Sequence, residues 1–265
     1  MSLELLNDRR VRAVPWRDLA PLTRAEVVQE LSLPVPWLAG SLLLAHLGLV
    51  PLALPASFVF FLLGLRVVHG AYHNSLGLGR AADDWVMVAF SLLMLGSMHA
   101  VRFNHLRHHK HCLDGDDIEG QCALMPAWRA LLAGPWFPVH MHAHALRQGG
   151  PEVRCWVVFE LALDASWIVM AFAILDVPAM RYHVAAMAVG QCLTGFFAVW
   201  TVHHGCDRSG QFARTLRGGF KNAASFSMFL HLEHHLFPRV PTRRLRQLSR
   251  RLDAALPGLS EKQVF

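Results

Sequence analysis

Residues Val35–His73 read VPWLAGSLLLAHLGLVPLALPASFVFFLLGLRVVHGAYH, and Arg66 is the only Asp, Glu, Lys or Arg among them. About 20 apolar residues cross a bilayer, so this run is too long for one helix. Pro51 and Pro55 interrupt it, and the reading is a hairpin of two spans, 36–53 and 56–72. The run ends on His69 and His73, which share one helical face. The whole composition agrees: 265 residues, 54% hydrophobic and only 17% charged, with a mean hydropathy of +0.32. These values exclude an ordinary soluble domain and point to a polytopic membrane protein.

Working outward, residues 1–34 are polar and show no signal-peptide h-region. Thr23 and Glu26 have capping-box spacing and predict a short helix through Leu31, ended by Pro34 and Pro36. The apolar run 85–101 has 17 residues, short for a span, and reads as re-entrant or interfacial. A His-rich loop follows to about 150, then spans at 155–177 and 182–202, then a basic remainder from 203 to 265. Four crossings place the N-terminal segment, the central loop and the tail on one side. Their Arg and Lys number five, six and eleven, against Arg181 alone in the turns opposite. That asymmetry predicts a cytoplasmic location for the three segments and both termini, with the bacterial inner membrane as the expected setting. The tail arginines (Arg239, Arg243, Arg244, Arg246, Arg250, Arg251) are read as topology and headgroup attraction rather than nucleic-acid binding. Leu245, Leu248, Leu252 and Ala255 recur between them at helical spacing, which predicts an amphipathic helix on the membrane surface. The expected class is all-α, with about four transmembrane helices, a re-entrant helix and a cytoplasmic His-rich cap.

Seventeen histidines are present, and most are clustered. The clusters are His69-Gly-Ala-Tyr-His73, His105-Leu-Arg-His108-His109 with His111 beyond it, His203-His204, and His231-Leu-Glu-His234-His235. Each can aim two or three imidazoles at one point, because i, i+3 and i+4 share a helix face. All four fall at, or just after, span ends on the same expected side. Neutral imidazole binds iron, copper, zinc and nickel, but one zinc takes about four ligands. Nine convergent imidazoles therefore fit two metals better than one. No Glu-x-x-His occurs, which argues against a carboxylate-rich di-iron bundle.

The boxes HGAYH, HLRHH and HLEHH, the approach SMHAVRFNHLRHH and the segment HLEHHLFPRVPTRRL resemble those of the membrane fatty acid desaturase superfamily, which includes hydroxylases and carotenoid ketolases. The resemblance covers roughly residues 36–250. It implies a non-haem di-iron centre with O2 as co-substrate, within a membrane domain at 35–250 flanked by an N-terminal segment (1–34) and a tail (251–265). Carried over by position, the ligands are His69, His73, His105, His108, His109, His231, His234 and His235. A ninth comes from the end of the last span, where His204 is favoured and His203 is placed behind the ligands or as the alternative. His111 is read as bonding a ligand or an acid. In the run Asp114, Asp116, Asp117 and Glu119, one carboxylate (Asp117) is read as orienting a ligand imidazole, with a solvated loop as the alternative.

His140, His142 and His144 are expected in a loop or at the interface, and His46, His99 and His183 in core or interface roles. Glu160 and Asp164, one turn apart inside a span, are expected to face the protein interior. The five cysteines form no CxxC pair and are read as small buried hydrophobes. With no CxxC, haem-attachment or GxGxxG motif, the resemblance implies an outside electron donor: a ferredoxin, rubredoxin or cytochrome. Three readings stay open. One is an acyl-chain desaturase or hydroxylase. Another is a hydroxylase or ketolase of a different hydrophobic molecule, such as a carotenoid. The last is a zinc-dependent membrane protein.

Overall fold

The computed structural model describes residues 4–259 and 261–264. The long apolar run folds back as two antiparallel helices, α1 (Arg24–His46) and α2 (Val50–Tyr72). Their turn lies at 47–49 rather than at the prolines, and Gly48 adopts φ 75° there, a conformation open to glycine at no steric cost. Pro51 falls in the first turn of α2, where its missing N–H costs nothing. Nor do Pro34 and Pro36 end the first helix. The Leu33 amide still reaches Gln29 O at 3.1 Å and the Leu38 amide reaches Pro34 O at 3.0 Å, so α1 begins at Arg24. Thr23 forms the capping box with Glu26 that its spacing predicts.

Residues 85–101 are not one helix. α3 (Arg80–Met94) and α4 (Met98–His111) meet at 113°. Leu95 (φ 57°) and Gly96 (φ 154°) make the corner, and the Ser97 hydroxyl caps α4 by accepting from the Ala100 amide. Arg102 of α4 comes back to within 3.6 Å of Asp84 near the start of α3. The pair is sharply bent at this corner, as the sequence expectation of a re-entrant segment requires. α5 (Trp136–Gln148) follows. It holds His140, His142 and His144 on a helix, not in a loop. His142 Nε2 accepts the Ser97 amide at 2.8 Å, steadying the re-entrant corner.

The last two spans are α6 (Pro151–Ile174) and α7 (Pro178–His203). With α1 and α2 they make four helices long and apolar enough to cross a membrane. Leu43, Leu52, Val158, Phe172 and Val189 are exposed along them, as side chains solvated by lipid tails would be. Cys155 is exposed too, and only Cys112 and Cys122 are buried. Glu160 is fully buried and pairs with His99 at 2.7 Å, which ties α6 to α4.

The tail's leucine face is turned to protein rather than to lipid. α8 (Gly219–Ala224), α9 (His231–Leu236) and α10 (Leu245–Ala255) close over one end of the bundle. Leu245, Leu248 and Leu252 are at most 2% exposed and share a core with Val11, Phe212 and Leu232. Burying a leucine stabilises by about 1.5–3 kcal/mol, and an amphipathic face gains that from protein as readily as from lipid. Arg251 pairs with Asp18 (2.6 Å) and Arg243 with Glu26 (3.6 Å). Part of the tail's positive charge is thus spent on the N-terminal segment.

Candidate metal centre

The HGAYH box stays together, and the two HxxHH boxes divide by helical register. His69 and His73 sit at the end of α2, His105 and His109 one turn apart on α4, and His234 on α9. These five side chains form one group, and His108, His203, His231 and His235 form a second; within each, the donor atoms lie within 4.8 Å of one another. In both HxxHH boxes the i and i+4 imidazoles go to one group and the i+3 imidazole to the other. The second box gives two rings to the first group and one to the second, and the third box does the reverse. The groups touch: the His109 and His235 rings stack at 4.1 Å.

The facing atoms are all Nε2. In the first group His105 Nε2 lies 3.0 Å from His69 Nε2 and 3.1 Å from His109 Nε2, and His109 Nε2 lies 3.0 Å from His234 Nε2. In the second, His203 Nε2 lies 3.0 Å from His108 Nε2 and 2.9 Å from His231 Nε2, which is 3.0 Å from His235 Nε2. His73 Nε2 is buried with no hydrogen-bond partner. Ring nitrogens facing one another at this spacing, with His73 Nε2 left over, suit a shared cation.

The ring nitrogens behind them are held. His105 Nδ1 meets Glu119 and His108 Nδ1 meets Asp117, both at 2.8 Å, and His203 Nδ1–H donates to the Phe212 carbonyl at 2.9 Å. A proton fixed on Nδ1 leaves Nε2 as the lone pair aimed inward. The acidic run is therefore no solvated loop at these two positions, since Asp117 is 1% and Glu119 7% exposed. Asp117 also accepts the Leu113 and Gly120 amides at 2.8 Å. Burial alone would raise its carboxyl; the His108 contact and these amides hold it below the ordinary value. Burial, and then neighbouring imidazoles, push His231, His234 and His235 well below the usual histidine range. They remain neutral, the form that binds metal.

His203, not His204, joins the second group. The π-helical stretch Gly195–Trp200 precedes the pair. Each π turn inserts a residue relative to an α turn and so rotates the side chains beyond it. His204 points away, its ring flat on Trp200 at 3.9 Å and its Nδ1–H donating to the Trp200 carbonyl at 2.9 Å. His111 lies outside both groups and meets the acid Asp114 at 3.3 Å, not a ligand imidazole. Sequence reading missed Glu233, in the middle of the third box. It is fully buried, bonded by Thr215 at 2.7 Å and paired with Arg217, and it anchors α9. A carboxylate flanked by box histidines was the available signal.

A cavity opens beside the centre, walled by His69, His105, His231 and His234 together with Leu62, Leu65 and Phe197.

Fold and site together define a class: a helical membrane protein whose spans, bent helix pair and tail cap gather nine histidines into two adjoining groups at one end. The chain belongs to the fatty acid desaturase family, whose sequence pattern it matches over residues 36–262. It is 27% identical over 194 residues to the sphingolipid delta(4)-desaturase/C4-monooxygenase DES2 of Bos taurus. That match covers 66% of this chain and 57% of the relative, so the chain spans little more than half of the relative's length.

Proposed function

We propose that the protein is an O2-dependent membrane di-iron oxidoreductase that desaturates, or hydroxylates, the hydrocarbon chain of a lipid. The observation that carries this reading is the pair of adjoining imidazole groups at the end of an apolar cavity. The donor count supports iron over zinc, because a group of five imidazoles exceeds the four ligands that a tetrahedral zinc takes. Five and four imidazoles are also fewer than six per ion, which leaves positions for O2 and water.

His69, His73, His105, His109 and His234 would hold one iron, and His108, His203, His231 and His235 the other. The bound irons supply the reduction of O2 and the removal of hydrogen from an unactivated CH2. The chain's own residues do the rest. Asp117 and Glu119 fix the tautomers of His108 and His105, and Glu233 holds α9 in register. The apolar wall places a methylene beside the histidines and keeps water out. Loss of two hydrogens gives a double bond and gain of one oxygen an alcohol; the relative's name contains both activities. Electrons come from a separate carrier, a ferredoxin, rubredoxin or cytochrome, docking on the side that holds the histidines, which the charge asymmetry predicts to be cytoplasmic. The bacterial inner membrane remains the expected location.

The test is lipid profiling of cells expressing the chain, with His234→Ala as control, beside metal analysis of purified protein. About two irons and a product lighter by two hydrogens, or heavier by one oxygen, are expected. Zinc with no oxygen consumption would overturn the reading.

A further inference from the structure

The cavity at the histidines is one end of a longer groove. On α2, Phe58, Leu62, Leu65 and His69 follow each other by three or four residues along one face, with Phe61 beside Leu62. Opposite them on α7 stand Gly190, Leu193, Thr194 and Phe197. Between the two helices lies a cavity of about 400 Å³. It shares Leu62, Leu65, Thr194, Phe197 and Phe229 with the cavity at the histidines. Away from the centre it shares Phe58, Phe61, Gly190 and Leu193 with a third cavity of about 350 Å³ that reaches Val50 and Tyr182, at the far ends of both spans.

The groove is open on its outer side, where Phe58 is 44%, Phe197 36% and Phe220 87% exposed. Its wall is almost all carbon. The Thr194 hydroxyl is spent on Gly190 O at 3.1 Å, and Lys221 stands at the rim beside Phe220. Gly190 lets the Phe61 ring lie against α7, since a Cβ there would come within 2.7 Å of it. From Phe58 to His69 is eleven residues, about 16 Å at the helical rise. An extended covalent chain advances about 1.2 Å per bond, so this section holds about a dozen carbons.

We propose that the substrate is a membrane-resident lipid whose long unbranched chain slides sideways from the bilayer into the groove between α2 and α7, rather than a water-soluble thioester entering from the aqueous side. This rests on the lipid-oxidising reading above. A bilayer-facing mouth lined with aromatic rings matches a chain already dissolved in lipid. A thioester carrier with several phosphates would meet one cation, Lys221, in the groove section and one more, Arg66, at the histidine end, where it is already paired with Glu30.

The test uses the purified full-length chain in phosphatidylcholine/phosphatidylglycerol vesicles containing a phospholipid with a diazirine on its acyl chain. Photolabel is expected to concentrate on peptides carrying Leu193–Phe197 and to fall at least tenfold in Leu193→Trp. Val158→Trp, on the lipid-facing surface of α6, should leave the labelling unchanged. Leu62→Trp, on the opposite wall, should repeat the Leu193→Trp loss. Equal labelling of α6 and α7 would overturn the proposal. So would turnover of a coenzyme A thioester that Leu193→Trp leaves intact while the same chain on a phospholipid is ignored. Labelling needs no iron and no electron donor. A labelled groove in an iron-loaded protein that oxidises no chain would therefore support the route and sink the function.

Discussion

The two histidine groups differ in how they are braced. In the second, all four imidazoles are at most 8% exposed. His108 rests on Asp117, itself fixed by two amides, and His203 on the Phe212 carbonyl. In the first, His69 and His109 are only half-buried. Among its five imidazoles, His105 has a carboxylate behind it, Glu119. That carboxylate's Oε2 is buried without a partner, and Glu119 lines the cavity. The second group is built for retention and the first for access. Three rings of the first wall the cavity, against His231 alone of the second.

Removing a ring from the braced group should do the most damage. His203→Ala is expected to lose one of two irons and at least a hundredfold in product formation. His69→Ala should lose comparable activity while keeping more of its metal, because the second group stays intact. Iron content by elemental analysis beside product yield checks both. Equal metal loss from both variants would erase the distinction.

The carboxylates come next. Partners behind a metal-bound histidine are worth about 10–100-fold in affinity or activity. Asp117→Asn is expected near the upper end and Glu119→Gln near the lower, because Asp117 also closes the 113–120 turn. Gly120→Ala should mimic Asp117→Asn, since a Cβ there would sit 2.1 Å from Asp117 Oδ2. Iron retention under a chelator reads all three, and a Glu119→Gln loss larger than that of Asp117→Asn would reverse the ranking.

Protons should act on both groups. In the metal-free protein His231, His234 and His235 stay neutral well below the ordinary histidine value of 6.5, whereas in the unfolded chain they protonate near it. The unfolded state then binds more protons, and stability present above about pH 6.5 is lost as pH falls. The slope is about 1.4 kcal/mol per pH unit for each fully depressed histidine. Thermal unfolding of metal-free protein between pH 8 and 5 should show a falling midpoint, and bound iron should abolish most of the fall. A flat profile without metal would mean that the third box is not packed as described.

Much of this was legible in the sequence. Four apolar runs gave the spans, because a lipid-facing helix must be apolar over its whole length. The HxxHH spacing gave the convergence, because i, i+3 and i+4 share a face. The features that escaped notice depend on tertiary context. An amphipathic helix such as Leu245–Ala255 has the same pattern whether its leucines meet lipid or a protein core. The hairpin turned at Gly48, a weaker signal than Pro51, which the helix start tolerates, and Pro55, which lies inside the helix. Asp117 is singled out in the sequence as a partner for a ligand imidazole, but Glu119 is not, because in a run of four acids only the fold decides which others go inside. The choice between His203 and His204 was hidden by the π-helical turn before them, which no periodicity at 3.6 residues reveals.

That last choice gives the smallest expected effect and a sharp check on the comparison. His204 contributes a ring stacked on Trp200 and one hydrogen bond to the Trp200 carbonyl. His204→Phe keeps the stack and gives up the bond, a cost of about 0.5–1.5 kcal/mol. Iron content should be unchanged and turnover within about twofold of wild type, beside the collapse expected for His203→Ala. If His204→Phe instead lost iron, the π turn would have to shift by one residue in the loaded protein. The second group would then be no better fixed than the first, and the division between a retaining half and an accessible half would fall with it.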